Sequence, residues 1–255
     1  IIAHIHELRT AINLLLPSFK QYDAHIHTYI AVSNLVQQSL VDDWRIAPHK
    51  ISQSYPFSGV LATPNQAKDS DSFIVGGAGK VDWRKGYDIF IQVARYVVKH
   101  HQDLPISFVW VGRVDALERL IIDADLRKLG LANRVRFVGE QQEPLPYFQK
   151  FDVFLMSSRE DPFPLVCIEM AQLQKPLVCF ENAVGTAEIL KEGGGKIVPY
   201  LDIEAMANEV VFYYNNRSRL AKDGERARAL FSEFTPDKGC LKLYEVIAHV
   251  ANDAV

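Results

Sequence analysis

The sequence predicts an α/β fold, a parallel sheet with helices on both faces, joined to a smaller partial unit of the same kind. Three observations predict it. Short apolar runs alternate with amphipathic stretches of about 10–15 residues, the pattern of strands crossed by helices. The runs are followed by Gly79-Lys80, Gly112-Arg113, Gly139-Glu140, Asp161 and Val184-Gly185. All of these fall on one rim, outside the carboxyl ends of the strands, where such sheets bind ligands. A strand-like run with a capping signal, residues 28–34, repeats the pattern upstream.

Each element has a local cause. Residues 1–8 read as a strand-like start, and 8–16 as a helix stopped by Pro17. Residues 28–33 form a second strand, after which Ser33 or Asn34 caps a helix over 35–40. Residues 63–72 are polar and have the composition of a linker. Residues 1–62 are therefore expected to be the end of a truncated first domain. Residues 73–235 are expected to be a complete domain, and 236–255 a closing helix. The chain opens at Ile1 in what reads as mid-strand, so it is expected to be a fragment.

The complete domain begins with an apolar strand that runs into Gly76-Gly77-Ala78-Gly79-Lys80. This is no P-loop, because Ile74 stands where its first Gly belongs and Val81 where its Ser or Thr belongs. It is no dinucleotide fingerprint either, because Asp82 replaces the third Gly. What remains is a glycine turn with Lys80, Arg84 and Lys85 close behind, cations suited to clamping a diphosphate. Then come a helix (87–100), a strand (106–111) and a helix (115–129) that Gly130 stops. A strand (135–139), a short helix or loop (143–150) and a strand (151–156) follow, then a strand at 176–180. Gly193-Gly194-Gly195 reads as a hairpin-like turn into a last strand, and 200–214, 218–231 and 236–250 as terminal helices. Phe212, Tyr213, Tyr214 and Tyr244 are expected in the core.

Composition bounds the function. A chain of 255 residues, 48% hydrophobic with net charge -3, is an ordinary globular protein without the basic excess that nucleic acid requires. No apolar run approaches a membrane span. Cys167, Cys179 and Cys240 are too scattered for a metal site or a disulfide framework.

The most informative stretch is Ser157 to Pro176. Strand, Pro-Phe-Pro turn and helix follow one another, with Asp161 before the turn and Glu169 after it. Pro164 suits the first helical position. The amides of Phe163, Leu165 and Val166 are the open donors of a helix start, a site for phosphate. Glu169 lies about 7.5 Å farther along the axis, at the offset of a ribose whose diphosphate sits on the helix end.

This stretch resembles the signature of the family 4 retaining glycosyltransferases, which have two Rossmann-like domains in the GT-B architecture. Their two acids are separated by seven residues, as Asp161 and Glu169 are here, with Phe163 in place and Glu169-Met170-Ala171 following. The usual first acid is Glu, with Glu160 adjacent here, and the usual Gly after Phe is Pro164. The resemblance implies that this chain is a GT-B C-terminal domain plus the end of the N-terminal one. It implies a nucleotide-sugar donor, a glycan or small-molecule acceptor, and no metal, since cationic side chains serve instead. Lys80 and Lys85 would contact the diphosphate, with Arg84 beside them, and Gly79 would form the turn. Arg136 and Gly139 would flank the base, Gly185 would lie near the phosphates and sugar, and His6 would face the sugar from the first domain. Asp161 would grip sugar hydroxyls. For Glu188, a first-turn acid stabilised by the helix dipole is the expectation. The location expected is cytoplasmic, with peripheral membrane contact left open. A nucleotide-binding module without catalysis and a sugar-nucleotide epimerase of the same architecture remain the alternatives.

Overall fold

A computed structural model describes residues 1–61 and 72–253. The stretch expected to be a linker therefore lies outside the described residues, except for Ser72. The first unit comprises β1 (Ile2–Ile5), α1 (Arg9–Leu15), β2 (Thr28–Ala31), α2 (Asn34–Asp42) and β3 (Ile51–Gln53), with 3-10 turns at Phe19–His25 and Pro48–Lys50. Its sheet is parallel in the order β1-β2-β3. Ser33 caps α2, its hydroxyl accepting the Val36 N–H at 3.2 Å.

The second unit runs β4 (Phe73–Ala78), α3 (Tyr87–His100), β5 (Ile106–Val111), α4 (Ala116–Lys128), β6 (Val135–Phe137), α5 (Leu145–Phe148) and β7 (Val153–Met156). It continues with α6 (Leu165–Gln172), β8 (Leu177–Phe180), α7 (Ala187–Leu190), β9 (Gly195–Val198), α8 (Ile203–Asn215), α9 (Arg217–Phe231) and α10 (Pro236–Asp253). Its strands are all parallel, in the order β6-β5-β4-β7-β8-β9. Successive residues of β7 and β8 are all buried, so both faces of the sheet are covered. On those faces α3 packs with α8, and α6 with α9. The order reverses between β4 and β7. The crevice outside their carboxyl ends is therefore the switch point at which a doubly wound sheet binds ligands.

Three expectations change. The triple glycine is not a hairpin, because β8 and β9 pair in parallel and the single-turn α7 crosses between them. Pro164 is extended (φ -69°, ψ 123°) and precedes the helix, so Leu165 is its first residue. Phe212 and Tyr244 are exposed, whereas Tyr213 is fully buried.

Candidate functional site

Two loops meet across the switch point. The first follows β4. Its Lys85 N–H donates to Asp82 Oδ1 at 2.8 Å, and Gly86 then takes a left-handed φ of 67° to start α3. A Cβ at Gly86 would lie 1.9 Å from the Ser157 carbonyl oxygen, so the loop after β7 presses directly on this turn. Arg159 staples the two together. It reaches both Asp88 oxygens at 2.9 and 2.7 Å and the Trp83 carbonyl at 2.8 Å, with its guanidinium over the Trp83 ring. The pairing holds the Asp88 carboxyl below its usual range against the opposing pull of burial.

Lys85 lies against Gly79 and extends to Asp161, with Nζ 2.5 Å from Oδ2. The two side chains are 17% and 5% exposed, so the pair is nearly withdrawn from solvent. Asp161 is fixed on its other side by a bridge to Val184, its N–H donating to the Ala183 carbonyl and its carbonyl accepting from Gly185. Gly185 is needed for close approach, since a Cβ there would meet the Pro162 carbonyl at 1.7 Å.

A cavity of about 320 Å³ opens beside this pair. It is lined by Gly79 and Lys85, by Val111 and Gly112, by Glu140 and Gln141, and by Pro164, Leu165, Val166 and Glu169. Among the described residues nothing accepts the N–H groups of Leu165 or Val166, and the first capping bond of the helix is made by Cys167 to Pro164. The cavity thus meets one cation and a helix start with open donors, an arrangement suited to an anion. Glu169 also lines it, and among the described residues burial alone, with no side-chain partner, acts on its carboxylate. Burial pushes the Glu169 carboxyl above its ordinary range.

The structure brings together Gly79, Lys85, Pro164, Leu165, Val166 and Glu169, with Asp161 behind Lys85. It does not bring all the expected residues there. Lys80 is half exposed and 3.5 Å from Asp115. Arg84 turns to Glu7 at 3.1 Å. The expected cluster of three cations therefore supplies one to the cavity. Arg136 lines a separate groove of about 290 Å³ with Arg119 and Arg127, because its neighbours Val135 and Phe137 turn inward. Gly139, at φ 80°, accepts the Gly112 N–H at 3.0 Å, and the next two residues line the cavity. The Phe163 ring is buried between Tyr55 and Phe234, at 5.2 and 5.3 Å, so only its backbone is near the helix start. His6 is exposed at the end of β1, its ring 4.1 Å from that of His4. Partial desolvation where the two rings meet lowers both imidazoles, and with the neighbouring His6 adding to it that of His4 falls to about 4.

Sequence reasoning placed Glu140 on the ligand rim but missed Gln141, Pro144 and Phe148 as the rest of that wall of the cavity. It also missed the second use of Glu188. That residue is in the first turn of α7, and its carboxylate accepts the Asn34 N–H at the start of α2, at 3.1 and 3.3 Å. Glu188 thus holds the two units together, and the only sequence signal was its place in the Gly185–Glu188 loop.

Comparison with known proteins follows the same lines. A lipopolysaccharide core biosynthesis mannosyltransferase, LpsB of Rhizobium meliloti (strain 1021), is 27% identical over 201 residues, 76% of this chain and 54% of the relative. LpcC of Rhizobium leguminosarum bv. viciae, also a lipopolysaccharide core biosynthesis mannosyltransferase, is 26% identical over 191 residues, 71% of this chain and 53% of the relative. The chain spans about half the length of these curated relatives. In structure it is similar to Anabaena HepE in complex with UDP, with a TM-score of 0.82 and 18% identity over 97% of this chain and 72% of that one. It is also similar to a mutant of S. aureus TarM in complex with Fondaparinux, alpha-GlcNAc-glycerol and UDP. There the TM-score is 0.81 and the identity 18%, over 96% of this chain and 50% of that one. Residues 72–216 match the family described as glycosyl transferases group 1, more than half of the chain, and the chain belongs to that family.

Proposed function

We propose that this chain carries the donor half of a retaining, family 4 glycosyltransferase that moves a sugar from a nucleoside-diphosphate sugar to an acceptor hydroxyl. One observation carries the proposal. Lys85, the open amides of Leu165 and Val166, and Glu169 line a single cavity at the strand-order switch. In this reading the diphosphate lies on the helix start beside Lys85, and Glu169 takes the ribose hydroxyls. Asp161, which stands behind Lys85 and outside the cavity lining, grips the sugar once Lys85 turns to the phosphates, and His6 faces the sugar from the first unit. Lys80 joins the phosphates by leaving Asp115, an exposed and weakly held partner. As the glycosidic bond breaks, the leaving diphosphate gathers charge, which Lys85 and the helix start stabilise. The domain division at residues 62 and 73 belongs to the same proposal, as does a glycan acceptor. UDP in complexes of similar structures and the polysaccharide-building relatives support it.

Calorimetric titration with UDP, GDP and ADP against their monophosphates tests the proposal. One diphosphate should bind at least about tenfold more tightly than its monophosphate. Equal affinity would remove the diphosphate from the site. Glu169→Ala should weaken binding of the ribonucleotide but not of inorganic diphosphate.

A further inference from the structure

Two hydrogen bonds outside the cavity tie its two working loops to the same short segment of the first unit. Glu7 accepts from Arg84, the residue before Lys85, at 3.1 Å. Thr10 donates to Glu160, the residue before Asp161, at 2.6 Å. Lys85 and Asp161 in turn pair with each other. The contacts close a ring: residues 7 to 10, Arg84, Lys85, Asp161 and Glu160. Neither Glu7 nor Thr10 lines the cavity. Arg9, between them, makes its ion pair inside the first unit, with Asp43. The second oxygen of Glu160 is buried and finds no partner among the described residues, an arrangement with a desolvation cost. Local stability would turn that carboxylate to water; instead it is turned to Thr10.

We propose that Glu7 and Thr10 are positioning residues for the second phosphoryl group of a nucleoside diphosphate. They act through Arg84 and Glu160, fixing from both sides the chain that sets Lys85 against Asp161. The proposal rests on the diphosphate reading given above. Adhesion between the units alone would instead alter stability, or all nucleotide affinities equally.

The test titrates the whole chain and its Glu7→Ala, Thr10→Val, Thr10→Ser and Arg9→Ala variants with UDP, GDP, ADP and their monophosphates. Thermal unfolding is followed in parallel. Glu7→Ala and Thr10→Val should each weaken the preferred diphosphate about threefold to tenfold while leaving its monophosphate unchanged. Thr10→Ser should restore wild-type affinity, and Arg9→Ala should change neither. Diphosphate affinity unchanged in Glu7→Ala and Thr10→Val would overturn the proposal. So would equal losses for both ligands, or an Arg9→Ala effect as large as that of Glu7→Ala. Failure of the diphosphate reading itself would show in the wild type, as no preference for the second phosphate.

Discussion

Lys85→Ala separates two consequences of one nearly buried ion pair. The first is stability. The Asp161 side chain is 5% exposed and would lose its cation. Removing one partner of a buried pair costs about 3–5 kcal/mol. Lys85 keeps 17% exposure, which discounts the loss to about 3 kcal/mol. At about 2–4 °C per kcal/mol for a chain of this size, the thermal midpoint should fall by about 6–12 °C. The second consequence is ligand binding. A charge-assisted contact to phosphate contributes about 1.5–3 kcal/mol, so diphosphate affinity should drop about 10- to 150-fold. The double variant Lys85→Ala/Asp161→Ala tells the two apart. With no orphaned carboxylate it should regain most of the stability, but diphosphate affinity should stay low. Thermal unfolding and calorimetric titration of the wild type, the single variant and the double variant provide both numbers. Full diphosphate affinity in either variant would refute the role given to Lys85.

Other outcomes follow from the same geometry. Asp161→Asn keeps an acceptor for Lys85 Nζ, so diphosphate affinity should change by less than about threefold, while turnover in an intact enzyme should fall sharply. Calorimetry beside a donor-consumption assay would show a different result if Asp161 only aims the lysine. Glu169 has a carboxyl pKa raised by burial, so its contribution to stability is full when protonated and is lost as pH rises through its folded pKa. Glu169→Gln should therefore raise the thermal midpoint near pH 8 and leave it unchanged below about pH 4, the ordinary carboxylate range. A constant offset across that range would contradict the burial argument. Gly185→Ala puts a methyl 1.7 Å from a backbone oxygen beside Asp161 and should cost about 1–3 kcal/mol while weakening diphosphate binding. Unchanged unfolding and titration would mean that this loop gives way freely.

The alternation of strands and helices was legible because most second-unit strands are apolar runs, with β6 and β9 each carrying one cation, and each long helix has its own period. The order of the sheet was not, because the neighbourhood of β4 and β7 is set by packing between distant segments. The hairpin expectation failed because α7 is one turn long, too short to show a helical period. Within the site, the spacing of Asp161 and Glu169 and the open helix start could be read from residue types alone. Which of Lys80, Arg84 and Lys85 enters the cavity could not. Three neighbouring cations look alike in sequence, and the choice is made by the Asp82 turn, the Gly86 conformation and the partners Asp115, Glu7 and Asp161. Phe163 stood in the expected place, but its ring is a core contact. Glu7 and Thr10 gave no local signal, since their partners lie 77 and 150 residues away.

The most direct test is a crystal structure of this chain soaked with whichever of UDP, GDP or ADP binds best. Phosphate oxygens are expected within hydrogen-bonding distance, about 2.7–3.2 Å, of the Leu165 or Val166 amide and of Lys85 Nζ, with the ribose hydroxyls on Glu169. A nucleotide in the groove of Arg119, Arg127 and Arg136, with the cavity beside Lys85 empty, would contradict that placement.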